Sequence, residues 1–124
     1  MKRAVYIELT TALLMTFSVQ AQQKDVVQVN VVKGEKVYQT WCAACHAPGI
    51  GNPGLSMKPG ADALRAKYQG QLPPILAERT DLTPLFVSIF VRQGVSVMPF
   101  FRKTEISDQE LADLGAYLSR NTTQ

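Results

Sequence analysis

Residues 34–46 read Gly34-Glu35-Lys36-Val37-Tyr38-Gln39-Thr40-Trp41-Cys42-Ala43-Ala44-Cys45-His46, and the last five decide how the rest of the chain is read. The 124-residue sequence has two cysteines and one histidine, and all three fall within Cys42–His46 as C-x-x-C-H. The spacing has a chemical reason. One short turn offers two thiols to the two vinyl groups on one side of a porphyrin, and the imidazole that follows swings beneath the iron. The motif predicts one covalent haem c, attached through Cys42 and Cys45 and ligated by His46.

Three other uses of these residues fit less well. A thioredoxin-like redox pair also uses C-x-x-C but needs a βαβ setting, and no strand pattern flanks this one. A structural zinc site needs four nitrogen or sulfur ligands, whereas the cluster offers three and no second cluster completes it. A plain disulfide is poorly served by this spacing at a helix end, and it leaves His46 without a role.

The iron needs a sixth ligand or stays open to small molecules. Beyond the N-terminal segment the thioether candidates are Met57 and Met98. Met57 stands 11 residues after His46 and Met98 stands 52 after it, far enough for the chain to reach the opposite face of the porphyrin. Met98 is the expected ligand, with Phe100 and Phe101 closing the pocket beside it. A ligating histidine usually donates its other ring N–H to a carbonyl, which fixes the tautomer. Pro53 is the expected acceptor, although an ordinary turn proline reads the same way. Leu55 is expected to press on the porphyrin.

Working outward, a first helix fits Lys33 to about Ala44, ending at the motif, with Val37, Trp41 and Ala44 or Cys45 on one face. Residues 47–60 hold four glycines and three prolines, the composition of a loop shaped by what it wraps. Asp62–Gln69 reads as a short helix closed by Gly70, and Pro73-Pro74 opens a segment of about one helical turn through Arg79. Thr83 can cap a helix that has Pro84 at its first position and stops at Gly94. Ser107 and Glu110 form a capping box for a last helix with Leu111, Leu114 and Leu118 on one face. The fold class is all-α: four or five short helices and long loops around one covalent haem.

The first 21 residues read as an export signal. Lys2 and Arg3 give a positive start, Leu9–Val19 is mainly apolar, and Val19-Gln20-Ala21 offers a small-residue cleavage site. As an uncleaved anchor the run falls short of the roughly 20 residues that span hydrocarbon. The organisation is then a signal at 1–21, an extended arm at 22–32 that is either a subunit tether or a loose terminus, and a domain at 33–121. The destination is the periplasm, with no transmembrane span after cleavage. Removing Lys2, Arg3 and Glu8 leaves 11 basic against 9 acidic residues, scattered along the chain. That distribution excludes a nucleic-acid binder.

The stretch quoted at the outset, with Pro53-Gly54-Leu55, Met98-Pro99 and the L-x-x-L-G-A-Y-L of the last helix, resembles class I cytochrome c across residues 34–119. The resemblance implies the class I cytochrome c fold, a crossing of first and last helices with Gly34 and Tyr38 against Leu114 and Tyr117, and Gly115 as a point of close approach. The family's usual glycine before the loop proline is Asn52 here. The run from Arg79 to Phe101, with its V-R-Q-G and M-P-F-F elements, is similar to the cytochrome subunits of flavocytochrome hydroxylases such as p-cresol methylhydroxylase. This likeness implies electron transfer rather than catalysis by the chain itself. The donor would be a flavoprotein dehydrogenase, and the acceptor another cytochrome, a copper protein or an oxidase. A rim of Ala43, Ala44, Ala47, Pro48 and Ile50 near the tethered haem edge would serve docking. The alternatives are a free carrier to an oxidase, or an open-site haem sensor or peroxidase-like enzyme, which would commonly want a second histidine that the chain lacks.

Overall fold

The computed structural model describes residues 28–122. Five α-helices follow one another: α1 Val31–Trp41, α2 Ala43–His46, α3 Pro59–Tyr68, α4 Pro84–Gln93 and α5 Asp108–Leu118, with one 3-10 turn at Leu76–Glu78. The all-α expectation holds, and the described residues contain no strand, only an isolated bridge between Val95 and Met98. None of their helices is long and apolar enough to cross a membrane. The segment read as an export signal lies outside the described residues.

Helix α1 begins two residues earlier than expected. Val31 and Val32 are β-branched and carry low helix propensity, but two ties override that preference. Asn30 is the N-cap and its side chain accepts from the Lys33 N–H, while its own N–H donates to Asp113 Oδ1 on α5 at 2.7 Å. Gln109 Nε2 adds a bond to the Gln28 carbonyl. The end of the arm is therefore docked on α5. The expected single helix through Ala44 also breaks at Cys42, where α2 starts as a separate turn.

The later caps form as the sequence requires. Thr83 accepts from the Phe86 N–H above Pro84, Gly94 ends α4 with φ of 68°, and Ser107 and Glu110 close their capping box. Helix α3 starts at Pro59, three residues before Asp62, because proline suits a first helical turn.

The core is built where α1 crosses α5. Gly34 lies against the backbone of Asp113 and the Cβ of Tyr117, and the Asp113 carbonyl already occupies the place a methyl would need. The Tyr38 and Tyr117 rings meet at 5.5 Å, tilted by 42°, in the same cluster as the fully buried Leu114. Gly115, expected at this crossing, instead faces Pro84 of α4, bringing a third helix onto the pair. Val87 and Val91 of α4, with Ile106, complete the cluster.

The connection from 70 to 83 has little regular structure and is held by polar ties. The buried Arg79 guanidinium grips both carboxylate oxygens of Asp81, at 2.6 and 2.5 Å, and packs over the Tyr68 ring. Pairing of this kind is what makes a buried charge tolerable. Arg120 and Asn121 donate to the Ala77 carbonyl and Thr122 to that of Leu82, locking the C-terminal end onto the same segment.

Candidate functional site

Helix α2 is one turn long and, with Cys42 as its N-cap, carries the C-x-x-C-H motif. Cys45 and His46 both donate their backbone N–H groups to the Cys42 carbonyl, at 3.1 and 2.9 Å. The two thiols therefore stand three residues apart on one turn, the spacing at which helical side chains share a face. Both cysteines are free, Cys42 half-buried and Cys45 exposed, so the disulfide reading fails. Burial pushes the Cys42 thiol up to about 11, and the neighbouring Cys45 adds to the push. Among the described residues no cluster of three His, Cys, Asp or Glu side chains could hold a metal ion.

His46 is enclosed from the side of α3. A methyl on Gly60 would stand 2.6 Å from His46 Cε1 and 2.8 Å from Nδ1, so only glycine lets α3 pack this closely on the ring. Burial holds the imidazole below its usual range, which keeps it neutral at pH 7. Lys58, two residues before Gly60, reaches back and donates from Nζ to the Ala43 carbonyl at 2.8 Å. The Lys58-Pro59-Gly60 step thus braces the motif, and sequence reading placed it only within a loop wall.

The support expected from Pro53 is not made. Pro53 is exposed on a turn closed by the Leu55 N–H and the Asn52 carbonyl, and Gly54 takes φ of 96° there. His46 Nδ1 is buried without a hydrogen-bond partner. The turn is set by Asn52, Pro53 and Gly54 themselves, with Gly54 in the left-handed region. Leu55 is half-buried and lies against Gly51, whose missing side chain also makes room for the Met57 backbone.

Met98 sits on a separate tight turn. Val95 and Met98 exchange both backbone bonds, at 3.1 and 2.9 Å, with Ser96 at φ of 53°. Gly94 lies so close that an added methyl would stand 2.7 Å from the Met98 carbonyl. Two aromatic rings join this segment to the motif: Trp41, immediately before Cys42, meets Phe101 edge to face at 5.7 Å. Phe101 packs on the core, but Phe100 is 61% exposed and does not close in beside Met98 as expected. The expected apolar rim also shrinks. Ala43 belongs to the core, whereas Ala44, Pro48 and the 84% exposed Ile50 remain at the surface.

The donor set fits a covalently attached haem: two free thiols on one turn, and directly after them an imidazole whose Nδ1 is buried. Such a turn in an all-helical domain defines a c-type cytochrome. The chain belongs to the family described as cytochrome c oxidase, cbb3-type, subunit III, whose model matches residues 29–118. It is an electron-transfer cytochrome with covalently bound haem c. No curated protein matches the chain. Among solved structures, cytochrome c6 from the diatom Phaeodactylum tricornutum is 28% identical, with 73% of this chain and 92% of that chain covered and a TM-score of 0.44. OmcF, outer membrane cytochrome F from Geobacter sulfurreducens, is 22% identical, with 73% and 99% covered and the same score.

Proposed function

We propose that this cytochrome is an exported single-electron carrier whose haem is attached through Cys42 and Cys45, ligated by His46 below and Met98 above, and reduced by a flavoprotein dehydrogenase or hydroxylase. The observation that carries the ligand assignment is the Trp41–Phe101 contact, which brings the Met98 segment alongside the attachment turn. The bound group supplies an iron that takes up and releases one electron, and a thioether ligand favours its ferrous form. The chain's own part is to stay still. Gly60 and Lys58 hold the His46 turn, the Val95–Met98 turn presents the thioether, and the Trp41–Phe101 pair joins the two segments. The exposed Ala44, Pro48 and Ile50 leave an apolar edge beside Cys45 for a partner to dock on.

The flavoprotein donor rests on the likeness of residues 79–101 to flavocytochrome cytochrome subunits. A second reading, delivery of electrons toward a terminal oxidase, is favoured by the description of the family. Purification from the native host separates them. Co-elution of a flavin-bearing subunit supports the first, and a free cytochrome that reduces membrane oxidase preparations supports the second. Attachment is tested by mass: the mature chain should carry one haem through denaturation, and C42A/C45A should lose it.

A further inference from the structure

Arg92 stands on the last turn of α4, two residues before Gly94, and its guanidinium reaches three groups beyond Met98. Nη1 donates to the Phe101 carbonyl at 3.0 Å and to the Ile106 carbonyl at 2.8 Å, while Nη2 donates to Asp108 Oδ1 at 3.0 Å. The side chain is only 23% exposed. The backbone closes the same loop from the other end, because the Gly94 N–H donates to the Phe90 carbonyl and the Phe101 N–H to the Val91 carbonyl, both at 2.8 Å. Residues 94–101 are thus a loop whose two ends are pinned to one helical turn, and Met98 lies inside it. We propose that Arg92 is a positioning residue for the sixth ligand, holding the Met98 loop in register through the Phe101 and Ile106 carbonyls. The inference rests on the assignment of Met98 made above.

The residue type matters. A planar guanidinium satisfies two carbonyls and a carboxylate at fixed angles, which a lysine's point charge on a flexible stem does not reproduce. The tie to Asp108 differs from the other two. Asp108 opens α5, is 65% exposed and is shared with Lys103 Nζ at 2.7 Å, so it serves the helix junction more than the loop. Loss of the carbonyl ties should free the loop, whereas loss of the carboxylate alone should not.

The test uses the full haem-loaded protein as R92K, R92Q, D108N and M98A variants. It reads the ferric charge-transfer band of a methionine-ligated iron, carbon monoxide binding by the ferrous form, and far-ultraviolet helix content. The expected result is a ratio of Met98-ligated to open iron that falls about tenfold or more in R92Q, consistent with losing charged hydrogen bonds. R92K should fall between it and the parent, and D108N should keep the band. If R92Q does not fold, R92K carries the decision: a weakened band with parental helix content supports the inference, and an intact band overturns it. Loss of thermal stability in the Arg92 variants with the band and carbon monoxide resistance unchanged also overturns it, leaving Arg92 a helix tie only. M98A separates the two readings, since a band that survives there refutes the Met98 assignment itself.

Discussion

The two segments proposed to hold the haem iron are built by different means. The His46 side is short-range: Cys42, Cys45 and His46 share one helical turn, and Lys58 and Gly60 arrive within 14 residues to brace it. The Met98 side is instead a loop between helices, shaped by a turn between Val95 and Met98 and a left-handed Gly94 and held by side-chain ties from Arg92. A ligand placed by local backbone geometry resists perturbation better than one placed by a loop, because loops open at lower free energy than the elements that carry them. On the proposed assignment, the Met98 bond is therefore the weaker side of the coordination.

The largest expected effect strikes the frame that both sides share. Gly34→Ala puts a methyl where the Asp113 backbone carbonyl stands, and neither helix backbone can yield locally. Overpacking of this kind costs about 3 kcal/mol. Chemical denaturation should show a clear fall in midpoint, with both axial ligands affected together.

Next come two glycine substitutions that separate the sides. Gly94→Ala forces an alanine to φ of 68° and toward the Met98 carbonyl, a cost of about 1–3 kcal/mol. It should raise carbon monoxide binding through the Met98 side. Gly60→Ala should cost a similar amount by crowding His46 Cε1 and Nδ1, and should shift the potential while the methionine band persists. If the two variants gave the same spectrum, the asymmetry would be refuted.

A smaller effect is expected from Lys58→Met, which removes the bond to the Ala43 carbonyl and keeps most of the stem. About 1 kcal/mol of stability should be lost, read by thermal unfolding, with coordination intact. The smallest is Tyr38→Phe. The Tyr38 hydroxyl is buried without a partner, so its removal should change stability at pH 7 by about 0.5 kcal/mol or less. Burial, and to a lesser degree Tyr117, raises the phenol from its ordinary 10.0 to about 12. The folded state thus holds this proton more tightly than the unfolded chain. Its contribution is complete below pH 10 and fades as pH rises from 10 toward 12. Y38F should flatten that part of the alkaline stability curve.

Local chemistry was legible in the sequence. The capping box at Ser107 and Glu110, the Thr83-Pro84 start, the Gly94 stop and the C-x-x-C-H turn each depend on residues within a few positions of one another. What the sequence hid depends on distant partners. Val31 and Val32 look extended until Asp113 anchors the cap beside them. Gly115 faces Pro84 because α4 packs on α5 there, which no periodicity announces. Arg92 reads as an ordinary basic residue at a helix end, and only the folded chain brings the Phe101 and Ile106 carbonyls to it. The turn at Pro53 closes on itself between Asn52 and Leu55, a local pairing that the proline alone does not announce.

The central claim is that Met98 closes the iron opposite His46, making the protein an electron carrier and not a binder of small molecules. Exposing the purified ferrous protein to carbon monoxide at neutral pH tests it directly. The account predicts a low-spin spectrum unchanged by the gas, and ready formation of a carbon monoxide adduct by the parent protein would contradict it.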